Sequence, residues 1–196
     1  MLFSPKKKKI YILFGGPEGN TRTHRLADAY EKGAKEAGHE VRRQDCCDMQ
    51  FDPVLHNGYR VVMPLEPDLV AFQENVKWAD HIVIVVPVWW SSMPALLKGL
   101  FDRAWLPRFA FSFYPDGIRW KRLLKGKTSR VIITSDSHPF VARFLFGESV
   151  NELTRGILFF AGVAVRTYRI GFLKFTKEPR FMRILSRVER LGRKGA

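Results

Sequence analysis

The chain has 196 residues, 46% of them hydrophobic and 13% aromatic, enough for one domain with a substantial core and too apolar for a disordered segment. No apolar run approaches the roughly 18 residues that cross a bilayer, and the stretch 10–14 behind the basic start is too short for a signal peptide. The formal charge of +14 gathers at the ends: Lys6 to Lys9 are all basic, and residues 166–196 hold ten Lys or Arg against two Glu.

The first element is the apolar run Ile10-Tyr-Ile-Leu-Phe14, bounded by Lys9 and Gly15-Gly16-Pro17, the pattern of a buried strand. Residues 23–37 read as an amphipathic helix, with Leu26, Ala27, Tyr30, Ala34 and Ala37 on one stripe and Gly38 as its stop. Residues 39–45 form a second strand whose charges suit an edge position. The span 46–67 carries three prolines and no sustained period, so it is a long connection to a helix at 68–78. His81-Ile-Val-Ile-Val-Val86 is the strongest strand, β-branched and apolar on both faces. A helix at 94–105 opens on Pro94, and 130–134 is another buried strand. Mixed helical character at 149–161, a last strand at 163–170 and a helix at 178–191 complete the chain.

Strands alternating with helices predict a parallel sheet covered on both faces. The expected fold is a three-layer α/β/α sandwich with a five-stranded parallel sheet of order 2-1-3-4-5, as one domain over 1–196. Residues 1–8 would be a basic tail and 178–192 the closing helix. In such sheets ligands bind beyond the carboxyl ends of the strands, where the order reverses.

Three loops fall there. Gly15-Gly-Pro-Glu-Gly-Asn-Thr-Arg-Thr23 combines glycines with Thr21 and Thr23 hydroxyls, the charge of Arg22 and the ring of His24 at a helix N-terminus, which suits a monophosphate. The alternative is an ordinary turn, with Asn20, Thr21 or Thr23 as the cap. The loop lacks the G-x-G-x-x-G of dinucleotide folds, and Gly126-Lys127-Thr128 leads into a strand rather than a helix, so it is read as a turn and not a Walker motif. Pro87-Val-Trp-Trp-Ser-Ser-Met-Pro94 offers apolar area beside backbone donors and acceptors, which a flat heteroaromatic ring requires. Against this, Trp89 or Trp90 could simply pack on a helix, though not both. Thr134-Ser-Asp-Ser-His-Pro139 is dense in small polar groups suited to a pyrimidine edge, or to capping a following helix. His138 is a weak candidate proton donor, more simply a loop residue. Taken together the loops favour a flavin over separate structural roles, and the candidate flavin-binding residues are Gly16, Asn20, Thr21, Arg22, Thr23, His24, Pro87, Val88, Trp89, Trp90, Ser91, Thr134, Ser135 and Asp136.

Cys46 and Cys47 are adjacent, which rarely suits a disulfide, so they suggest a reducing, cytoplasmic setting and no metal framework. The basic ends suit an anionic membrane surface, an acidic partner or simple solubility. Nucleic acid is disfavoured by the absence of a recognised motif.

Several spaced motifs follow one another along the chain: Phe51-Asp-Pro53, Ala79-Asp80, Val85-Val-Pro-Val-Trp-Trp90, Met93-Pro-Ala-Leu-Leu-Lys-Gly-Leu-Phe-Asp-Arg103, Phe109-Ala-Phe111, Leu124-x-Gly-Lys127 and Phe160-x-Gly162. In this order they resemble the NAD(P)H:quinone oxidoreductase family of flavodoxin-like fold. The resemblance implies a two-electron reductase that takes hydride from NAD(P)H and reduces a quinone or similar small aromatic acceptor. It places Thr21 to His24 at the flavin phosphate, Pro87 to Ser91 along the ribityl chain and ring, and Thr134 to Asp136 at the pyrimidine edge. It also implies a homodimer in which Phe111, Phe113 or Tyr114 covers a partner's flavin. The loop after the fourth strand departs from the Gly-rich, Tyr- and His-bearing loop of the larger FAD-using members. That departure and the shorter chain favour FMN over FAD. A flavodoxin-type electron carrier and an ancillary regulator of a membrane transport system are the rival readings.

Overall fold

The computed structural model describes residues 6–138, 141, 144, 147 and 149–196. Residues 1–5 of the basic tail and Pro139 of the fourth-strand loop lie outside the described residues.

The strands are β1 (Lys9–Phe14), β2 (Glu40–Asp45), β3 (His81–Pro87), β4 (Phe111–Phe113), β5 (Trp120–Arg122), β6 (Thr128–Thr134) and β7 (Ala164–Ile170). The helices used below are α1 (Arg22–Glu36), α2 (Pro67–Trp78), α3 (Ala95–Ala104) and α4 (Glu178–Lys194). A wider π-helical segment runs over Glu152–Phe159. The main sheet is parallel throughout, in the order β2-β1-β3-β6-β7. Without the small β4–β5 hairpin this is the expected 2-1-3-4-5 order. The fold is flavodoxin-like.

Strand period divides the core. Ile10, Ile12 and Phe14 of β1 face α1 and α4 together with Val83 and Val85, whereas Tyr11 and Leu13 face α2 and α3 with Ile82, Ile84 and Val86. Each of these side chains contributes about 1.5–3 kcal/mol by leaving water, so β1 and β3 carry much of the fold's stability. On the α1 side the helices meet through glycine. A Cβ on Gly33 would lie 2.0 Å from the carbonyl oxygen of Glu189, and one on Gly192 would lie 2.1 Å from that of Tyr30.

One buried side chain gathers several points of the long connection 46–67. Arg103 of α3 is 1% exposed. It donates to Glu66 at 2.8 and 3.1 Å and to the carbonyl oxygens of Pro64 and Asp52. Gly99, a turn earlier, leaves room for Pro53, which a Cβ would meet at 2.5 Å. Much of the motif ending in Asp102-Arg103 therefore builds scaffold.

Two features differ from the expectation. The β4–β5 hairpin, with strands of three residues each, was not foreseen, and the mixed helical character expected over 149–161 takes the form of a π-helix at Glu152–Phe159. Among the described residues, no helix is long and apolar enough to cross a membrane.

Candidate functional site

A crevice of about 420 Å³ opens beyond the carboxyl ends of β1, β3 and β6. Its walls include Gly16, Thr21, Arg22 and Thr23 from the first loop, Pro87, Val88 and Trp89 from the second, and Thr134, Ser135 and Asp136 from the third. Ten of the fourteen expected residues thus meet in one place, with Phe14, Pro17, Glu18, Leu173 and Lys174 beside them.

The start of α1 contributes to one part of the crevice wall. Thr21 is its N-cap, and its Oγ1 accepts the His24 N–H at 3.1 Å. The Arg25 N–H donates to the Thr21 carbonyl oxygen at 3.0 Å. The N–H groups of Arg22 and Thr23 have no acceptor within the helix, and both residues line the crevice, so this end is built to receive an anion.

Other groups from this loop are engaged elsewhere. Arg22 sends Nη1 to the carbonyl oxygens of Leu173 (2.9 Å) and Thr176, and its guanidinium also approaches Glu178 at 3.5 Å. It therefore serves first to fix the loop after β7, which brings Leu173 and Lys174 to the crevice wall. His24 turns away from the crevice. Its Nε2 sits 2.7 Å from Asp45 and 2.8 Å from Arg43, and its ring meets Phe14 edge-on at 4.9 Å. Burial works against the Asp45 carboxylate, yet hydrogen bonds from Arg43 and His24 hold it below the usual range. Asn20 adopts the left-handed conformation, φ 56°, and lies outside the wall.

At the second loop, Trp89 is half exposed on the crevice wall and Trp90 is fully exposed outside it. Neither is core. The turn closes by a pair of 2.9 Å hydrogen bonds between Trp89 and Ser92, with Trp90 at φ 50° and Ser91 at φ 62°. Two consecutive positive φ values are costly for residues with side chains. Glu152 holds the turn by accepting from the Ser92 hydroxyl, and the Val150 N–H donates to the Ser91 carbonyl oxygen at 3.2 Å. This geometry lifts Trp90 and Ser91 off the wall.

The third loop is knitted to its neighbours. The Thr134 and Thr23 hydroxyls share a buried 2.9 Å hydrogen bond, Ser135 bonds Ile170 and Leu173 through its backbone, and Asp136 accepts the Lys174 N–H at 3.0 Å. The Val88 N–H is likewise bound to the Thr134 carbonyl oxygen at 2.7 Å. His138 lies outside the crevice wall, over a separate depression, with its ring edge-on to Phe172 at 5.5 Å.

The turn at Gly126-Lys127-Thr128 holds no ligand-facing cation. Lys127 Nζ donates to the carbonyl oxygens of Lys77 (2.8 Å) and Ala79 (2.6 Å). Sequence reasoning missed Leu173 and Lys174. The signal was available, because they follow the strand beside β6 on the same edge of a parallel sheet.

Residues 8–188 match the family described as having a flavodoxin-like fold, and the chain belongs to that family. An NAD(P)H oxidoreductase of Escherichia coli, YcaK, itself uncharacterised, is 29% identical over 133 residues, which cover 62% of this chain and 66% of that protein, just under two thirds of its length. A second uncharacterised NAD(P)H oxidoreductase, from Haemophilus influenzae, is 29% identical over 160 residues, covering 78% of this chain and 77% of the relative. The solved NAD(P)H:quinone oxidoreductase of Methanothermobacter marburgensis superposes with a TM-score of 0.78 at 25% identity, covering 95% of this chain and 98% of that one. Each of these relatives is named an oxidoreductase, in keeping with the resemblance that the motifs carry.

Proposed function

We propose that this oxidoreductase binds FMN in the crevice and transfers two electrons from NAD(P)H to a quinone or similar small aromatic acceptor. The observation that carries the reading is the arrangement of the crevice. The capped start of α1, the half-exposed ring of Trp89 and the residues that follow three parallel strands all line this one crevice. Its donor set suits one phosphate, and its volume falls in the range of small-ligand sites.

Thr21 and the N–H groups of Arg22 and Thr23 would hold the phosphate. Pro87, Val88 and Trp89 would flank the ring, and Ser135, Asp136 and Leu173 would meet its far edge. When bound there, FMN would supply the two-electron redox chemistry between NAD(P)H and the acceptor. The protein's part is to orient the ring and leave one face open to the two substrates in turn. Trp90, Phe113 and Tyr114, all exposed, would be covered in a homodimer. The free thiols of Cys46 and Cys47 fit a cytoplasmic setting.

Steady-state oxidation of NADH and NADPH by FMN-loaded protein, with a water-soluble quinone as acceptor, tests the reading. Turnover with one of the pyridine nucleotides is expected. Flavin binding without any NAD(P)H oxidation would favour the electron-carrier reading.

A further inference from the structure

We propose that α4 and the loop before it form a docking surface for an anionic lipid bilayer, holding the crevice mouth at the interface where a lipophilic acceptor is dissolved. The part about the acceptor rests on the function proposed above; the docking does not.

The charges of α4 are segregated. Arg180, Arg183, Arg187, Arg190 and Lys194 recur at steps of three and four, which aligns them on one stripe about 20 Å long. The acidic residues of the same helix point toward α1. Glu178 approaches Arg22 and Arg25 at 3.5 and 3.6 Å, and Glu189 pairs with Lys32 at 3.3 Å and with Arg193. Among the described residues, none of Arg180, Arg183, Arg187 and Arg190 makes an ion pair. Arg187 lies over the ring of Tyr168 on β7, the edge strand, at 5.2 Å. Between β7, the loop and α4 lie three adjoining shallow depressions of about 520, 490 and 250 Å³, each bordered by Arg180. Depressions of this kind, walled by arginines, suit phosphate and carboxylate headgroups.

The loop supplies an apolar tip. Leu173 and Thr176 turn inward, held by Arg22 and by the hydrogen bond from Thr176 Oγ1 to the Phe172 carbonyl oxygen (2.8 Å). That leaves Phe172 40% and Phe175 69% exposed, interleaved with exposed Lys174 and Lys177. Exposed phenylalanines beside unpaired cations suit the headgroup–acyl boundary, where rings insert and cations meet anionic lipids. A nucleic acid would use the cations but gain less from the apolar tip. Lys174 also lines the crevice, so the same loop faces both the proposed bilayer and the site.

Co-sedimentation with phosphatidylcholine vesicles, with and without phosphatidylserine, tests the surface. Binding to the anionic vesicles alone, falling as salt is raised, is expected. Arg183→Glu with Arg187→Glu should lower the partition coefficient at least about tenfold, and Phe175→Ser should lower it several-fold. Both variants change exposed side chains and should keep the wild-type circular dichroism and turnover with a water-soluble quinone. They should lose turnover with a long-chain quinone embedded in anionic vesicles. Equal binding to neutral vesicles, no binding to either, wild-type binding by the double variant, or displacement from vesicles by equimolar RNA would overturn the proposal. Sedimentation needs no flavin, so vesicle binding by a protein that binds no FMN would retain the surface and refute the function. Soluble-quinone turnover without vesicle binding would do the reverse.

Discussion

Arg103 shows how little a motif residue's type reveals about its task. Its charge is wholly enclosed, and its partners are Glu66 and two carbonyl oxygens of the long connection. Burial works against the Glu66 carboxylate, but backbone N–H groups and Arg103 hold it below its usual range. Arg103→Met should therefore cost about 2–4 kcal/mol, seen as a lower midpoint in thermal or urea unfolding. An unchanged midpoint would mean that apolar packing alone holds the connection. His81 gives a second test. Burial, assisted by the charges of Lys8, Arg130 and His39, pushes its imidazole down to about 3, and its Nε2 is buried with no hydrogen-bond partner. The unfolded chain, titrating near 6.5, takes up this proton first. Stability is therefore full above about pH 6.5 and falls as pH drops toward 3, by up to about 1.4 kcal/mol per pH unit. His81→Leu should flatten the profile between about pH 6.5 and 5, above the range where carboxylates titrate; an unaltered slope there would contradict the assignment. Neither role was legible in the sequence, because each depends on partners brought from distant segments. The same holds for His24 and Arg22, which composition directed to an anion and the fold engages with Asp45 and with the loop after β7.

Elements were legible where one physical signal dominated. The β-branched run of β3 and the spaced apolar stripe of α1 announce a buried strand and an amphipathic helix, and both form within a few residues of the expected bounds. The β4–β5 strands are too short to show a period, and the hairpin stands through contacts such as the stacked rings of Trp120 and Phe160, 4.6 Å apart. Glycine weakens a helix by propensity, yet at Gly33 the missing side chain is what allows α4 to approach. Gly33→Ala should force the helices apart and cost about 1–3 kcal/mol by calorimetry. A neutral effect would show that α4 can shift freely. Thr21→Ala removes the cap of α1 and should cost about 1 kcal/mol. On the proposed function it should also raise the Kd for FMN, measured by flavin fluorescence, while a variant unaltered in FMN affinity would move the phosphate away from this helix end.

At the scale of the whole molecule, sheet order decides where the chemistry can be. Placing β3 between β1 and β6 brings three loops, far apart in sequence, around one crevice, and the alternation of strands and helices made that order readable in advance. The side chains that face inward were less readable. The left-handed turn at Trp90 and Ser91, held by Glu152 from the π-helical segment, sets which indole reaches the wall. On the proposed function, this crevice binds FMN. The most direct test is the visible spectrum of protein incubated with FMN and freed of excess cofactor by gel filtration. Bands near roughly 375 and 450 nm, at about one flavin per chain, are predicted; protein that emerges colourless would contradict the claim.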